Sequence, residues 1–417
     1  MELIIWEWIN FAARWVHVIT AIAWIGSSFY FVALDLSLKK REDLPPGASG
    51  EAWQIHGGGF YNMVKYMVAP DRLPKELTWF KWEAYSTWIS GFFLLCVLYY
   101  RGADLFLVDP QVMGLSAKEA IAISVATLAG GWLAYDLLCK SPLGQSDVKL
   151  AAAGFVVLVA ASWGFSQVFS GRGAMLQMGA LIGTMMVANV FVLIIPNQRK
   201  VVDALLAGQT PDPNLGRQAK QRSLHNNYLT LPVLFLMLSN HYPLAFGAHY
   251  AWVMVALVLV MGGMIRHFFN ARHAGKPTPW WTWAVAAACM AAIVWLSTVP
   301  PPREHEVATA TKPWIGLEAP APVQTADAGP VSFAKVADVV ISRCSMCHST
   351  MPGWEGIHEA PRGVLLDSPE EIRRHASLIR LQAVLTHSMP PANVSEITPE
   401  ERELLGRWTA DPDTAVQ

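Results

Sequence analysis

"GAMLQMGALIGTMMVANVFVLII" (173–195) runs for twenty-three residues without a charge. A bilayer core about 30 Å thick is crossed by about 20 apolar residues in helical form, so this stretch is expected to span a membrane. The same criterion, applied outward in both directions, gives eight candidate spans: 9–37, 82–100, 117–138, 149–169, 173–195, 225–243, 244–268 and 279–299. The sixth and seventh are separated only by a tight turn at "NHYPLA" (240–245). Composition agrees with this division: 53% of residues are hydrophobic and 15% charged, against about 25% charged in an ordinary soluble domain. Eighteen Trp residues suit a chain with many membrane–water interfaces. The net charge of −1, with no long basic or acidic run, argues against nucleic acid as a partner. No basic leader precedes the first apolar run and Arg14 interrupts it, so the first helix is expected to be retained rather than cleaved.

The connections between spans set an expected orientation. Seventeen Lys and Arg residues fall in the first, third, fifth and seventh connections, whereas the other three hold only Arg101, Lys118 and Arg172. By the positive-inside rule the first group faces the cytoplasm. An even number of spans then leaves both termini outside, in the inner membrane of a cell with the C-terminal tail on its periplasmic side. The Pro- and Ala-rich stretch 300–330 reads as a tether. The expected fold is therefore all-α: an eight-span helix bundle over 1–299, a linker, and a compact domain over 331–417.

That last domain carries "SRCSMCHST" (342–350). Cys344-Ser-Met-Cys347-His348 fits the C-x-x-C-H rule for covalent c-type haem. Two thiols one helical turn apart reach the vinyl groups, and His348 is aimed at the iron. Zinc would require two further Cys or His ligands at close spacing. Met389, in "HSMPPAN" (387–393), is the expected sixth ligand, with Met351 and His387 as competitors. Flanking stretches "FAKVADVVISRC" and "TPEERELLGRW" supply the leading and closing helices of a small class I-like cytochrome c, the second capped by Thr398 with Glu401 three residues on. His/Met ligation raises the reduction potential, so the domain is expected to accept electrons and pass them to a respiratory oxidase or another cytochrome. Cys96, Cys139 and Cys289 lie singly in apolar segments and are expected to be small core residues.

Ionisable groups within spans are functional candidates. Asn10, Arg14 and His17 share one face of the first span; the alternative is a polar contact between helices. Haem b held between helices by paired histidines is a second use, with His17 and His249, or His225 and His267, as candidate pairs. The first cytoplasmic connection, "WQIHGGGFYNMVKYMVAPDRLPKELTWFKWEAYSTW" (53–88), combines Gly57, Gly58 and Gly59 with aromatics and Lys residues. The glycines let the backbone approach a flat ligand, and Lys65, Lys75 and Lys81 can hold an anion. The alternative is an interfacial segment lying on the membrane. "GRG" (171–173) and "MGGM" (261–264) read as close helix packing.

"HGGGFYNMVKYMVAPDRLP", "LTWFKWEAYSTWISGFF" and "LHNNYLTLPVLFLMLSNHYP", followed by the CSMCH domain, resemble the bacterial membrane-bound urate oxidases over essentially the whole chain. The resemblance implies oxidation of urate to 5-hydroxyisourate in purine catabolism. It also implies electron delivery to the cytochrome c domain rather than to O₂, so that no hydrogen peroxide is released. The chemistry needs donors for a planar anion and a base to activate water; the Lys and Gly residues above, with His56 or Glu83 as base, are the expected groups. A site at the outer side, near Arg14, His17 and His241, is the alternative, and would let haem c take electrons directly. A quinol-oxidising electron conduit with a haem c exit, and a transporter with a regulatory cytochrome tail, are the competing functional classes.

Overall fold

The computed structural model describes residues 2–66, 74, 76–299, 331–354 and 357–412; the expected tether and the "VAPDR" part of the first connection, with Arg72 and Lys75, lie outside them. Eight long helices stand where eight spans are expected. They are α1 (Glu2–Ser37), α2 (82–100), α3 (Ala117–Lys140), α4 (Asp147–Ser166), α5 (171–206), α6 (Pro213–Ser239), α7 (Ala251–His273) and α8 (Trp281–Thr298). Five of them, α1, α3, α4, α5 and α7, are long and apolar enough to cross a membrane. The other three fall short for identifiable reasons. The first half of α6, "PNLGRQAKQRSLHNNY", is polar, α8 is only eighteen residues long, and α2 turns π-helical over Leu95–Tyr100.

Local chemistry explains several boundaries. Ser116 and Glu119 form a capping box that opens α3, satisfying amides the helix cannot satisfy itself. In α5 the ladder widens to π-helix over Asn189–Ile194, directly before Pro196, whose ring nitrogen donates no hydrogen bond. The expected tight turn between the sixth and seventh spans is longer than the sequence suggests. α6 stops at Ser239, one helical turn forms over Pro243–Phe246, and α7 begins only at Ala251. His249, expected inside the seventh span, therefore lies in a connection.

α5 is the centre of the bundle, with Met175, Met178, Leu181, Ile182 and Met185 in the core. Outward-facing side chains are apolar, among them Trp15 and Ile22 of α1, Leu137 of α3 and Trp163 of α4, each more than half exposed. Such a surface suits a hydrocarbon surround rather than water.

The expectation of a wholly α-helical chain needs one correction. Residues Ala48–His56 (β1) and Gly59–Tyr66 (β2) form an antiparallel hairpin with His56 opposite Gly59. Its two-residue turn is Gly57-Gly58, with φ of +57° and +79°. Positive φ at both central positions matches the twist of the flanking strands and suits glycine. The triple glycine thus builds a turn.

The C-terminal domain holds α9 (Phe333–Arg343), a broken helix α10 (369–385) and α11 (Pro399–Ala410). Phe333, Val336 and Val340 of α9 pack with Leu405 and Trp408 of α11. Thr398 and Glu401 form the capping box expected from sequence.

Candidate functional site

At the end of α9 the Cys347 and His348 amides both donate to the Cys344 carbonyl, at 3.1 and 2.9 Å. The motif therefore closes one helical turn, which sets the thiols a turn apart. Burial pushes the Cys344 thiol up to about 12, so it remains protonated. His348 Nδ1 donates to the Val364 carbonyl at 3.0 Å, which fixes the ring and leaves the Nε2 lone pair free for a metal. The Thr350 amide and hydroxyl both donate to Asp367, at 2.8 and 3.0 Å, tying the motif to the loop that carries Asp367. These bonds keep the Asp367 carboxyl below the usual carboxylate range.

The loop after α10 is gripped by Arg402 of α11, a buried side chain. Its guanidinium donates to the Ala383 carbonyl, to the Met389 carbonyl at 3.0 Å and to Asn393 Oδ1 at 3.3 Å. The Met389 amide in turn donates to the Gln382 carbonyl at 3.0 Å. Met351, by contrast, is 87% exposed, and His387 is exposed on the edge of a cleft described below. Cys344, Cys347, His348 and Met389 thus fit a covalently held haem: two thiols, an oriented imidazole and a thioether on a loop whose backbone is anchored. No group of three or more His, Cys, Asp or Glu forms a metal site among the described residues, so the zinc alternative lacks its further ligands.

This domain sits on one end of the bundle. Gly247, between α6 and α7, lies so near the Thr386 carbonyl that an added Cβ would overlap that oxygen. Between the two bodies is a cleft of about 210 Å³, lined by Phe106, Asp109, Ser170, Arg172 and His249 from the bundle and by Thr386, His387 and Ser388 from the C-terminal domain. Arg172 stacks between Phe246 and Phe106, with ring centroids 4.7 and 5.7 Å from its guanidinium carbon. Nearby, burial holds the His241 imidazole below its ordinary value, helped by the charges of Arg14, Arg362 and Arg172. Asp109 is the only carboxylate in the lining. It caps its own turn by accepting from the Gln111 amide at 3.0 Å.

At the opposite end, most of the described residues expected to form a substrate site have structural roles or contacts of their own. Lys65 is paired with Asp35, its ammonium 2.5 Å from both carboxylate oxygens. Lys81 lies over the Trp82 ring at 5.8 Å. Glu83 opens α2 as a first-turn acid, His56 is exposed at the end of β1, and Gly57, Gly58 and Gly59 turn the hairpin.

Three of the four histidines expected to pair around haem b have polar partners of their own. His17 Nδ1 lies 3.1 Å from both the Thr87 carbonyl and the Ser90 hydroxyl of α2, in a gap left by Gly91. His225 bonds the Tyr135 hydroxyl at 2.7 Å, and His267 lies 3.4 Å from the Tyr228 hydroxyl. His249 lines the outer cleft. Among the described residues, no hydrogen bond or ring contact joins His17 to His249 or His225 to His267. Arg14 bonds Asn10 at 2.8 Å along its own helix, as the shared face predicts.

Sequence reasoning passed over Arg172 and Arg402. Arg172 stands inside "GRG", whose glycines do serve close packing: added Cβ atoms would meet Phe246 at Gly171 and Leu107 at Gly173. That reading was sufficient for the glycines and hid the arginine between them. Arg402 carries no pattern; only the fold brings α11 against the 386–393 loop.

No curated protein and no solved structure matches the chain. A family model described as urate oxidase N-terminal matches residues 3–297, the whole of the helical bundle. A match of that extent places the chain in the urate oxidase N-terminal family.

Proposed function

We propose that the chain is a membrane-bound oxidoreductase that converts urate to 5-hydroxyisourate and passes the electrons to a haem c on its own C-terminal domain. One observation carries this reading: a urate-oxidase bundle over 3–297 and a C-x-x-C-H domain, in one chain, share a cleft. In the balanced reaction, urate and one water give 5-hydroxyisourate, two protons and two electrons. The haem, when bound through Cys344, Cys347, His348 and Met389, supplies a one-electron acceptor. Two successive transfers, each followed by loss of the electron to an external cytochrome or terminal oxidase, complete one turnover without O₂, and so without hydrogen peroxide.

The chain's own residues bind, orient and shield. Apolar helices seat the bundle in a lipid bilayer as eight spans, with the haem-bearing end outside the cytoplasm, which is where c-type haem is attached. Arg402 holds the Met389 loop and Val364 holds the His348 ring, so both ligand positions are set before a metal arrives. With urate at the haem-bearing end, electrons could pass to haem c directly, without a second haem in the membrane.

The test is an anaerobic titration of the purified protein with urate, followed by visible absorbance. Reduction of the haem c bands, two haem equivalents per urate consumed, is the expected result. Reduction by a quinol but not by urate sinks the proposal in favour of an electron conduit.

A further inference from the structure

We propose that urate binds in the cleft between the bundle and the C-terminal domain, with Arg172 as the group that receives its negative charge. This rests on the urate-oxidising reading above and names the site that reading leaves open.

The cleft has the right size and walls. Pockets for drug-sized ligands run from roughly 300 to 1,000 Å³; at about 210 Å³ this one suits a smaller, flat bicyclic molecule. Phe106, Phe169 and Phe246 supply apolar wall, and Ser166, Ser170 and Ser388 supply hydroxyls at its edges. Urate is a planar anion edged with carbonyl and N–H groups, and such a mixed lining can match it.

The charge is also right. A guanidinium keeps its positive charge and presents a planar fork suited to an oxyanion or a delocalised anion. Arg172 has no hydrogen bond or ion pair to a carboxylate among the described residues; its guanidinium lies over two phenyl rings and near Tyr99. The buried cations of the bundle are met by oxygens: Arg222 by Asp136 at 2.7 Å, and Arg266 by the side-chain oxygens of Asn227 and Asn270. Arg14 and Arg362 add to the positive field on this side. Arg172 also stands in the first turn of α5, where helix amides lack acceptors and the helix end carries partial positive charge. Asp109, the carboxylate in the lining, is turned to its own loop and toward Arg402.

Position makes the site functional. Thr386, His387 and Ser388 line the cleft, and Met389 follows them in the chain. Successive Cα atoms are about 3.8 Å apart, so a ligand touching Ser388 lies within a few ångströms of the proposed haem ligand. An electron leaving it would reach the haem in one step. His249, in the same lining, is an imidazole able to take a proton from the attacking water.

Binding can be separated from turnover. Holoprotein reduced beforehand with dithionite cannot oxidise urate, so equilibrium dialysis against labelled urate reads binding alone. Arg172→Gln is expected to weaken that binding at least tenfold, and Arg172→Lys to recover part of it. Ala248→Trp, which fills the cleft from the bundle side, is expected to abolish binding while leaving the haem spectrum unchanged, and covers the case in which Arg172→Gln fails to fold. Unchanged affinity in folded, haem-loaded Arg172→Gln and Ala248→Trp overturns the site. So does a shift in haem midpoint potential with unchanged urate affinity, which would show that Arg172 faces a haem carboxylate instead. Loss of binding on substituting His56 or Lys81 would move the site to the opposite end. If the unaltered protein neither binds urate nor is reduced by it, the functional reading itself fails, whatever the cleft holds.

Discussion

The two ends of the bundle treat their positive charges differently. At the hairpin end several of the described cations have a structural occupation. Arg222 meets Asp136, Lys65 meets Asp35, Arg41 meets Glu51 at 3.0 Å, and Arg266 is met by the amide oxygens of Asn227 and Asn270 at 3.3 and 3.2 Å. At the end that carries the C-terminal domain, Arg172 lies over aromatic faces and meets no carboxylate among the described residues, although basic residues in the bundle's connections there are far fewer. Counting basic residues thus predicts which way a chain faces, but not which charges are available to a ligand. Availability depends on pairing, and pairing appears only in the fold.

The contrast can be broken in graded ways. The largest effect is expected from Cys344→Ser with Cys347→Ser, which should remove covalent haem and with it all urate-driven reduction; a denaturing gel stained for haem checks the first part. Next comes Asp136→Asn. It strands the buried Arg222 guanidinium, and unpairing a buried ion pair costs about 3–5 kcal/mol. The unfolding midpoint in detergent should fall sharply, while urate affinity of the protein that remains folded stays unchanged. If affinity falls in step, the hairpin end is more than structural.

Arg402→Met should have a smaller consequence, centred on the Met389 loop. Hydrogen bonds from a charged donor are worth about 1.5–3 kcal/mol each, so a fraction of molecules should lose the Met389 thioether, read as a lowered haem midpoint potential. A potential identical to that of the unaltered protein would remove Met389 from the ligand set. Lys65→Met breaks a partly exposed pair worth at most about 1 kcal/mol, and should alter neither urate affinity nor turnover.

The smallest effect concerns acid. The Asp367 carboxyl is held below its usual range by the Thr350 amide and hydroxyl. Its contribution is present above the ordinary carboxylate range and is lost as pH falls through the depressed folded value. Asp367→Asn should therefore flatten the acid limb of a stability profile followed through the haem absorbance, and an unchanged limb would exclude Thr350–Asp367 as its source.

Much of the architecture is legible before any coordinates. The third helix begins at Ala117, where the apolar run suggests, and ends two residues beyond it, because a bilayer-length apolar segment has few alternatives to helix. The capping box at Thr398 and the turn geometry of Cys344–His348 follow from residue types at fixed spacing. The hairpin was harder to read. Its strands alternate only weakly, with Gly50, Ala52 and Gln54 diluting Trp53 and Ile55, so the two glycines suggested a ligand loop rather than a turn. The candidate site was the least legible part. Arg172, Phe246 and Ser388 come from separate segments, and no local pattern records that they meet.

Gly247 has a consequence for rate as well as for fit. Its missing side chain lets the backbone carbonyl of Thr386 settle against the bundle. Tunnelling falls steeply with distance, so even a methyl group there would act as a spacer in an electrical junction, widening the gap between donor and acceptor without touching either. On the proposed electron path, the rate would thus be set in part by an atom the protein does not have.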